Sequence, residues 1–184
     1  MDKAIFIDKD GDLGADLSTL FSAIGEGLSV LQGFGYKIIL ISNQPGVAKG
    51  LFEEIDLFEF QMGLQELFNA FNLRLDGFYY CPHCPEGSVA EYSISCKCRK
   101  PQPGLYFFAS HQLNINLIES WIIGDTLKDV EAGKRAGCKT LLVNDGSETE
   151  WLLDPSRIPD YITYDFRETA EFIISSGITV SHSL

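Results

Sequence analysis

The chain of 184 residues is 45% hydrophobic and 22% charged, as expected for a globular domain with a sizeable core. Its formal net charge of −12 argues against a general nucleic-acid binder, which needs a basic surface. A phosphorylated small molecule stays possible, because a metal and a few local cations outweigh a global sign.

The elements can be read in chain order. "AIFI" at 4–7 is a short apolar run that ends at Asp8. A helical pattern covers Leu17–Gly33, and "YKIILI" at 36–41 is a second strand that delivers Ser42, Asn43 and Gln44. A further helix is predicted over Phe52–Phe71, then a cysteine-rich stretch, then a helix over Pro103–Leu113. "WIIG" at 121–124 ends at Asp125, a helix follows over Lys128–Ala136, and "KTLLV" at 139–143 is the next strand. From Trp151 the chain reads as a loop, a short strand near Tyr161–Thr163 and a closing helix around Phe166–Ser176. The apolar runs do not alternate, as expected of strands buried on both faces.

This rhythm predicts an α/β fold: one Rossmann-like parallel sheet with helices on both faces. No repeat, low-complexity tract or linker divides the chain, so a single domain over 1–184 is expected. No apolar run spans a membrane, and "MDKAIFID" shows no secretory pattern. The expected location is the cytoplasm, with no membrane and no nucleic-acid partner. No extra dimerisation element is evident, so a monomer is expected.

Three strands run directly into polar groups: Asp8, then Ser42-Asn43-Gln44, then Asp125. In open α/β sheets ligands bind outside the carboxyl ends of the strands. One site therefore gathers all three.

The stretch "DKDGDLGAD" after the first strand allows three readings. A calcium loop beginning at Asp8 needs glycine at its sixth position and glutamate at its twelfth; the chain has Leu13 and Thr19 there. A solvated acidic turn suits Gly11 and its short polar neighbours. A pair of carboxylates for phosphoryl transfer suits the chemistry, one ionised to attack and one to carry a proton.

With the downstream motifs, the chain resembles the haloacid dehalogenase-like phosphatases. Asp8-x-Asp10-Gly11 matches their first motif, Ser42 in "ISNQPG" the second, Lys100 in "CRKP" the third and Asp125 in "IIGDTLKD" the fourth. The resemblance implies that Asp8 is the nucleophile and forms an aspartyl-phosphate. Asp10 is then the general acid and later the base. Ser42 holds the transferring phosphoryl, and Lys100 balances its charge. Mg²⁺ is expected on the Asp8 carboxylate, the Asp10 carbonyl and Asp125, a hard-oxygen set that leaves room for water. Asp129 either helps hold Lys100 or a metal-bound water, or is simply an acid favoured by a helix N-terminus.

"CPHCPEGSVAEYSISCKCRKP" holds five zinc-type ligands: Cys81, His83, Cys84, Cys96 and Cys98. Structural zinc takes four S/N ligands at such spacings, and a cytosolic cluster of this density is more readily metal-binding than disulfide-forming. Spacing alone leaves Cys84 open in place of His83. The resemblance favours Cys81, His83, Cys96 and Cys98, because the family uses Cys-x-His followed by Cys-x-Cys. Four protein ligands leave no position for a catalytic water, so this Zn²⁺ is expected to be structural, folding the loop at 81–98. Cys138 is expected to be a core residue.

Two zinc-loop branches of the family fit, the heptose bisphosphate phosphatases and the histidinol-phosphate phosphatases. "NQPGVAKGLF" and the long "CPHCPEGSVAEY" insert resemble the heptose branch. That reading implies a sugar bisphosphate, with Arg99 gripping the phosphate that is not transferred and Lys49, Asn43 and Gln44 assisting. A zinc-stabilised binding protein with weak activity is the alternative outside enzymology. Asp12 departs from the family, which has Thr or Val there; an added carboxylate beside a phosphate site is expected to alter binding or pH optimum.

Overall fold

A computed structural model describes residues 1–9, 17–144, 146, 148 and 154–178, with backbone alone for 17–23 and 178. Among the described residues six strands form one sheet in the order β3-β2-β1-β4-β5-β6. They are β1 (Lys3–Asp8), β2 (Tyr36–Asn43), β3 (Gly77–Cys81), β4 (Trp121–Gly124), β5 (Lys139–Val143) and β6 (Tyr161–Thr163). Every pairing is parallel. The helices are α1 (Leu17–Gly33), α2 (Pro45–Ala48), α3 (Glu54–Ala70), α4 (Gly104–Leu113), α5 (Leu127–Ala136) and α6 (Phe166–Ile178).

Alternation along β1 splits the core in two. Ile5 and Ile7 pack towards α1, α3 and α6, with Leu28, Leu31, Leu64, Phe68 and Ile173. Ala4 and Phe6 pack towards α4 and α5, with Leu105, Tyr106, Ala109, Ala132 and Ala136. Phe6 meets Tyr106 edge-on at 5.2 Å between centroids. Helices thus cover both faces, as the buried runs require.

Local signals set the helix ends. Glu53 and Asp56 form a capping box for α3, and Thr126 and Asp129 form one for α5. Helix α5 stops at Gly137, whose φ of 83° is left-handed. One strand lies outside the sequence reading. Edge strand β3, "GFYYC", alternates only weakly between buried and half-buried residues. It is held by its register on β2, which pairs Ile39 with Gly77 and Asn43 with Cys81. Helix α3 also begins two residues later than predicted, at Glu54.

The chain leaves β1 for β2 on one side and returns from β3 to β4 on the other. The carboxyl end of β1 is therefore the topological switch point, where a crevice opens. Register brings the site together there. Asp8 pairs with Ile41, and Ile7 pairs with Ile123 one residue below. Asp8, Ser42 and Asp125 thus leave three adjacent strands at nearly one level. No helix among the described residues is long and apolar enough to cross a membrane.

Candidate active site

Asp8 ends β1 with its side chain only 8% exposed, on the same side of the strand as Phe6. The Lys100 ammonium reaches it from the segment after the cysteine loop and pairs directly with its carboxylate. On its other flank Lys100 Nζ lies 2.7 Å from Asp129 Oδ1. That contact lacks the alignment of a hydrogen bond, so Asp129 Oδ1 is a buried oxygen held by charge alone. The other oxygen, Oδ2, accepts from Thr126 N at 3.1 Å and Thr126 Oγ1 at 2.6 Å. Asp129 therefore fills both roles expected of it, capping α5 and pairing with Lys100.

Gly124 makes this possible. A Cβ there would lie 2.4 Å from the Asp129 Cβ, so only glycine lets the first turn of α5 close onto β4. Lys100 is 3% exposed, and burying its charge is tolerable because two carboxylates face it. Its backbone is fixed as well. Lys100 N donates to Asn43 Oδ1 at 3.0 Å, and Asn43 Nδ2 donates back to the Lys100 carbonyl at 3.4 Å. Burial pushes the Tyr106 phenol, packed beneath this cluster, well above its ordinary value.

Ser42 is fully buried. Its hydroxyl donates to the Lys9 carbonyl at 2.5 Å and accepts from Gln44 Nε2 at 2.7 Å. Holding a phosphoryl oxygen with its proton would require the hydroxyl to turn away from Lys9. Gln44 thus orients Ser42, and it is anchored itself by its N–H on the Cys81 carbonyl at 2.8 Å. Sequence reasoning assigned Gln44 to the substrate, and only the side-chain geometry shows this second contact. Asp10 and Asp12 lie outside the described residues.

One carboxylate oxygen from each of Asp8, Asp125 and Asp129 lies within 4.8 Å of the other two. Such a group of hard-oxygen carboxylates fits Mg²⁺, which binds few protein carboxylates and keeps water. The sulfur cluster is separate. Cys81 Sγ lies 3.5 Å from Cys96 Sγ, 2.9 Å from Cys98 Sγ and 3.6 Å from His83 Nδ1. His83 Nδ1 lies 3.4 Å from Cys98 Sγ. Zn–S bonds of about 2.3 Å ask for roughly 3.8 Å between sulfurs, so this slightly contracted S₃N set fits tetrahedral zinc. The cysteines are all free thiols. Cys84 points elsewhere and donates to Glu86 at 3.3 Å. Crowding divides the protons unequally. Hydrogen bonding from Cys81 first, then Cys96 and His83, pulls the Cys98 thiol down to about 5, while the Cys98 contact and burial push Cys81 up. Cys138 is a core residue, and burial raises it to about 12.

The cysteine loop builds one wall of the crevice. Ser88 N and Val89 N both donate to the Ala48 carbonyl, at 2.8 and 2.9 Å, and Ser88 Oγ donates to the Lys49 carbonyl at 3.1 Å. A Cβ on Gly87 would lie 2.5 Å from that Ala48 oxygen. Tyr92 O–H and Tyr80 O–H both donate to Glu54, at 2.8 and 3.2 Å, and so tie the loop and β3 to α3. Arg99 Nη1 donates to the His83 carbonyl at 3.2 Å. The crevice encloses about 960 Å³, with Lys100, Asn43 and Gln44 inside and Lys49, Arg99 and Lys128 among its walls. Glu86 also lines it. The bond from Cys84, and more weakly the charges of Arg99 and Lys49, hold that carboxyl below its ordinary range.

Similarity to known proteins agrees with this geometry. Residues 97–169 match the family model described as HAD-hydrolase-like. The chain is 38% identical over 154 residues to the D-glycero-β-D-manno-heptose-1,7-bisphosphate 7-phosphatase of Haemophilus ducreyi, covering 78% of this chain and 84% of that one. It is 36% identical over 185 residues to the Pasteurella multocida protein of the same name, covering 96% and 93%. The crystal structure of a D,D-heptose 1,7-bisphosphate phosphatase from B. bronchiseptica, complexed with magnesium and phosphate, superimposes with a TM-score of 0.70. It is 23% identical, covers 95% of this chain and 99% of that chain, and shares the fold. Sequence motifs, strand-end geometry and relatives converge, and the chain belongs to the haloacid dehalogenase-like phosphatases, phosphoric monoester hydrolases whose members include the heptose bisphosphate phosphatases it resembles.

Proposed function

We propose that the protein hydrolyses the 7-phosphate of D-glycero-D-manno-heptose 1,7-bisphosphate through an aspartyl-phosphate. The observation that carries the reading is the buried lysine between two carboxylates at the sheet's switch point. Lys100 sits against Asp8 and Asp129, beside a crevice walled by cations. The relatives' names supply the substrate.

In the first step an Asp8 oxygen attacks phosphorus, and the bond from phosphorus to the sugar oxygen breaks. Asp10 gives that oxygen its proton. In the second step water attacks the same phosphorus, Asp10 takes the water's proton, and Asp8 is released with inorganic phosphate. Lys100 offsets the charge on Asp8 and on the phosphoryl throughout. Ser42 turns its hydroxyl towards a phosphoryl oxygen, with Gln44 keeping it in place. Asp8, Asp125 and the Asp10 carbonyl would hold Mg²⁺, which when bound neutralises charge on the transferring group. Cys81, His83, Cys96 and Cys98 would hold a structural Zn²⁺ that fixes the Arg99 wall. Arg99 and Lys49 grip the phosphate that remains.

The enzyme is read as a cytoplasmic monomer of one domain, which light scattering tests for its oligomeric part. Phosphate release from heptose bisphosphate and from histidinol phosphate, with and without Mg²⁺, tests the substrate. Heptose bisphosphate is expected to turn over at least about tenfold faster in kcat/KM. Preference for histidinol phosphate overturns the assignment, and absence of release from either favours a binding role.

A further inference from the structure

Lys128 plays no part in the chemistry above, yet its position conflicts with local rules. It is the second residue of α5, where the helix dipole disfavours a cation, and Asp129 beside it is the acid such a position prefers. No hydrogen bond or ion pair ties the Lys128 side chain to another described residue. It is exposed and lines the crevice. A residue that breaks a local preference without a visible compensation marks a functional constraint.

The charge inventory gives that constraint a direction. The chain carries 14 Lys and Arg against 26 Asp and Glu. Four of those cations, Lys49, Arg99, Lys100 and Lys128, converge on one crevice from three segments. Lys100 is engaged by Asp8 and Asp129. Among the described lining residues the opposing carboxylate is Glu86, which already accepts from Cys84. Lys49, Arg99 and Lys128 line the volume with no ion pair to a carboxylate among the described residues, although one Arg99 nitrogen donates to the His83 carbonyl. Arg99 offers a planar fork and Lys128 a flexible point charge, two chemistries that suit one phosphate.

We infer that Lys128 is a specificity-determining residue that grips the phosphate remaining on the substrate, together with Arg99. The inference rests on the bisphosphate reading above. Two measurements test it on the full chain: calorimetric binding without added magnesium, and steady-state hydrolysis with it. Both compare heptose 1,7-bisphosphate with heptose 7-phosphate, for wild type, Lys128→Gln and Lys128→Arg. Lys128→Gln is expected to weaken bisphosphate binding and raise its KM about tenfold, with the monophosphate values moving less than about twofold. Lys128→Arg should recover most of the loss, and raising ionic strength should erase part of the difference between wild type and Lys128→Gln. Equal effects on both ligands, or none on either, overturn the inference. So does a wild type that binds the bisphosphate no more tightly than the monophosphate. If the bisphosphate binds more tightly in a Lys128-dependent way but is not hydrolysed, Lys128 keeps its role and the proposed reaction falls.

Discussion

The oxygen cluster and the sulfur cluster are assembled by different means. Asp8, Asp125 and the Asn43 that holds Lys100 stand at the ends of parallel strands, so backbone register fixes them. Cys96 and Cys98 lie in a stretch without helix or strand, and only Cys81 belongs to the sheet. The first cluster inherits its geometry from a hydrophobic core; the second has to supply its own. Lesions in the first should therefore abolish chemistry and spare the fold, while lesions in the second should loosen the fold and reach chemistry indirectly.

The largest effect expected is that of Asp8→Asn, a loss of about 10³-fold or more in kcat, because the amide cannot attack phosphorus. Its thermal midpoint should stay within a few degrees, since Asp129 still faces Lys100. Turnover that survives the change sinks the aspartyl-phosphate route. Asp129→Asn comes next. It keeps an oxygen for Thr126 but removes the charge beside Lys100, and should lower kcat about 100-fold while costing less than about 1 kcal/mol in urea unfolding, since Asp8 still faces Lys100. A loss above about 2 kcal/mol would show that Asp8 alone does not suffice to bury the lysine, and would break the contrast. Cys81→Ser should lower the zinc content measured by atomic absorption and drop the midpoint by on the order of 10 °C. If the midpoint holds while zinc is lost, the loop folds without the metal and the contrast between the clusters fails.

The smallest effect concerns the brace between loop and helix. Tyr92 donates to Glu54, and that bond first, with burial and the Glu54 charge, raises its phenol to about 12. A raised folded value means that the stabilisation is complete below the ordinary tyrosine range near 10 and is lost as pH climbs towards 12. The difference in midpoint between wild type and Tyr92→Phe should be constant from neutrality to about pH 9 and shrink above it. A difference that does not change with pH would assign the effect to packing.

Much of the oxygen site was legible because strand ends are legible. A buried apolar run followed by Asp8 or Asp125 states both the element and the place where its polar group emerges. The motif points to Lys100, but the sequence allows two roles for its partner Asp129, since it cannot show that Gly124 lets α5 approach the strand. Likewise Gln44 reads as a ligand-facing amide until its bond to Ser42 is seen. Strand β3 escaped because an edge strand is set by its neighbour's hydrogen bonds more than by its own pattern. Lys128 carried only a faint signal, a cation opening the helix predicted over 128–136, because an exposed lysine is the commonest of surface residues. In the sulfur loop, spacing allows two ligand sets, and the structure gathers Cys81, His83, Cys96 and Cys98 while Cys84 turns to Glu86.

The Ala48 carbonyl accepts two amide protons from the cysteine loop, those of Ser88 and Val89. Neither amide can be exposed to solvent by opening α2 alone or the loop alone without breaking the same junction. Their deuterium uptake should therefore be slow and correlated, rising together when zinc is withdrawn. The cooperative unit that opens would then join two segments about forty positions apart in the chain, and its boundary would follow a single oxygen atom rather than the order of the sequence.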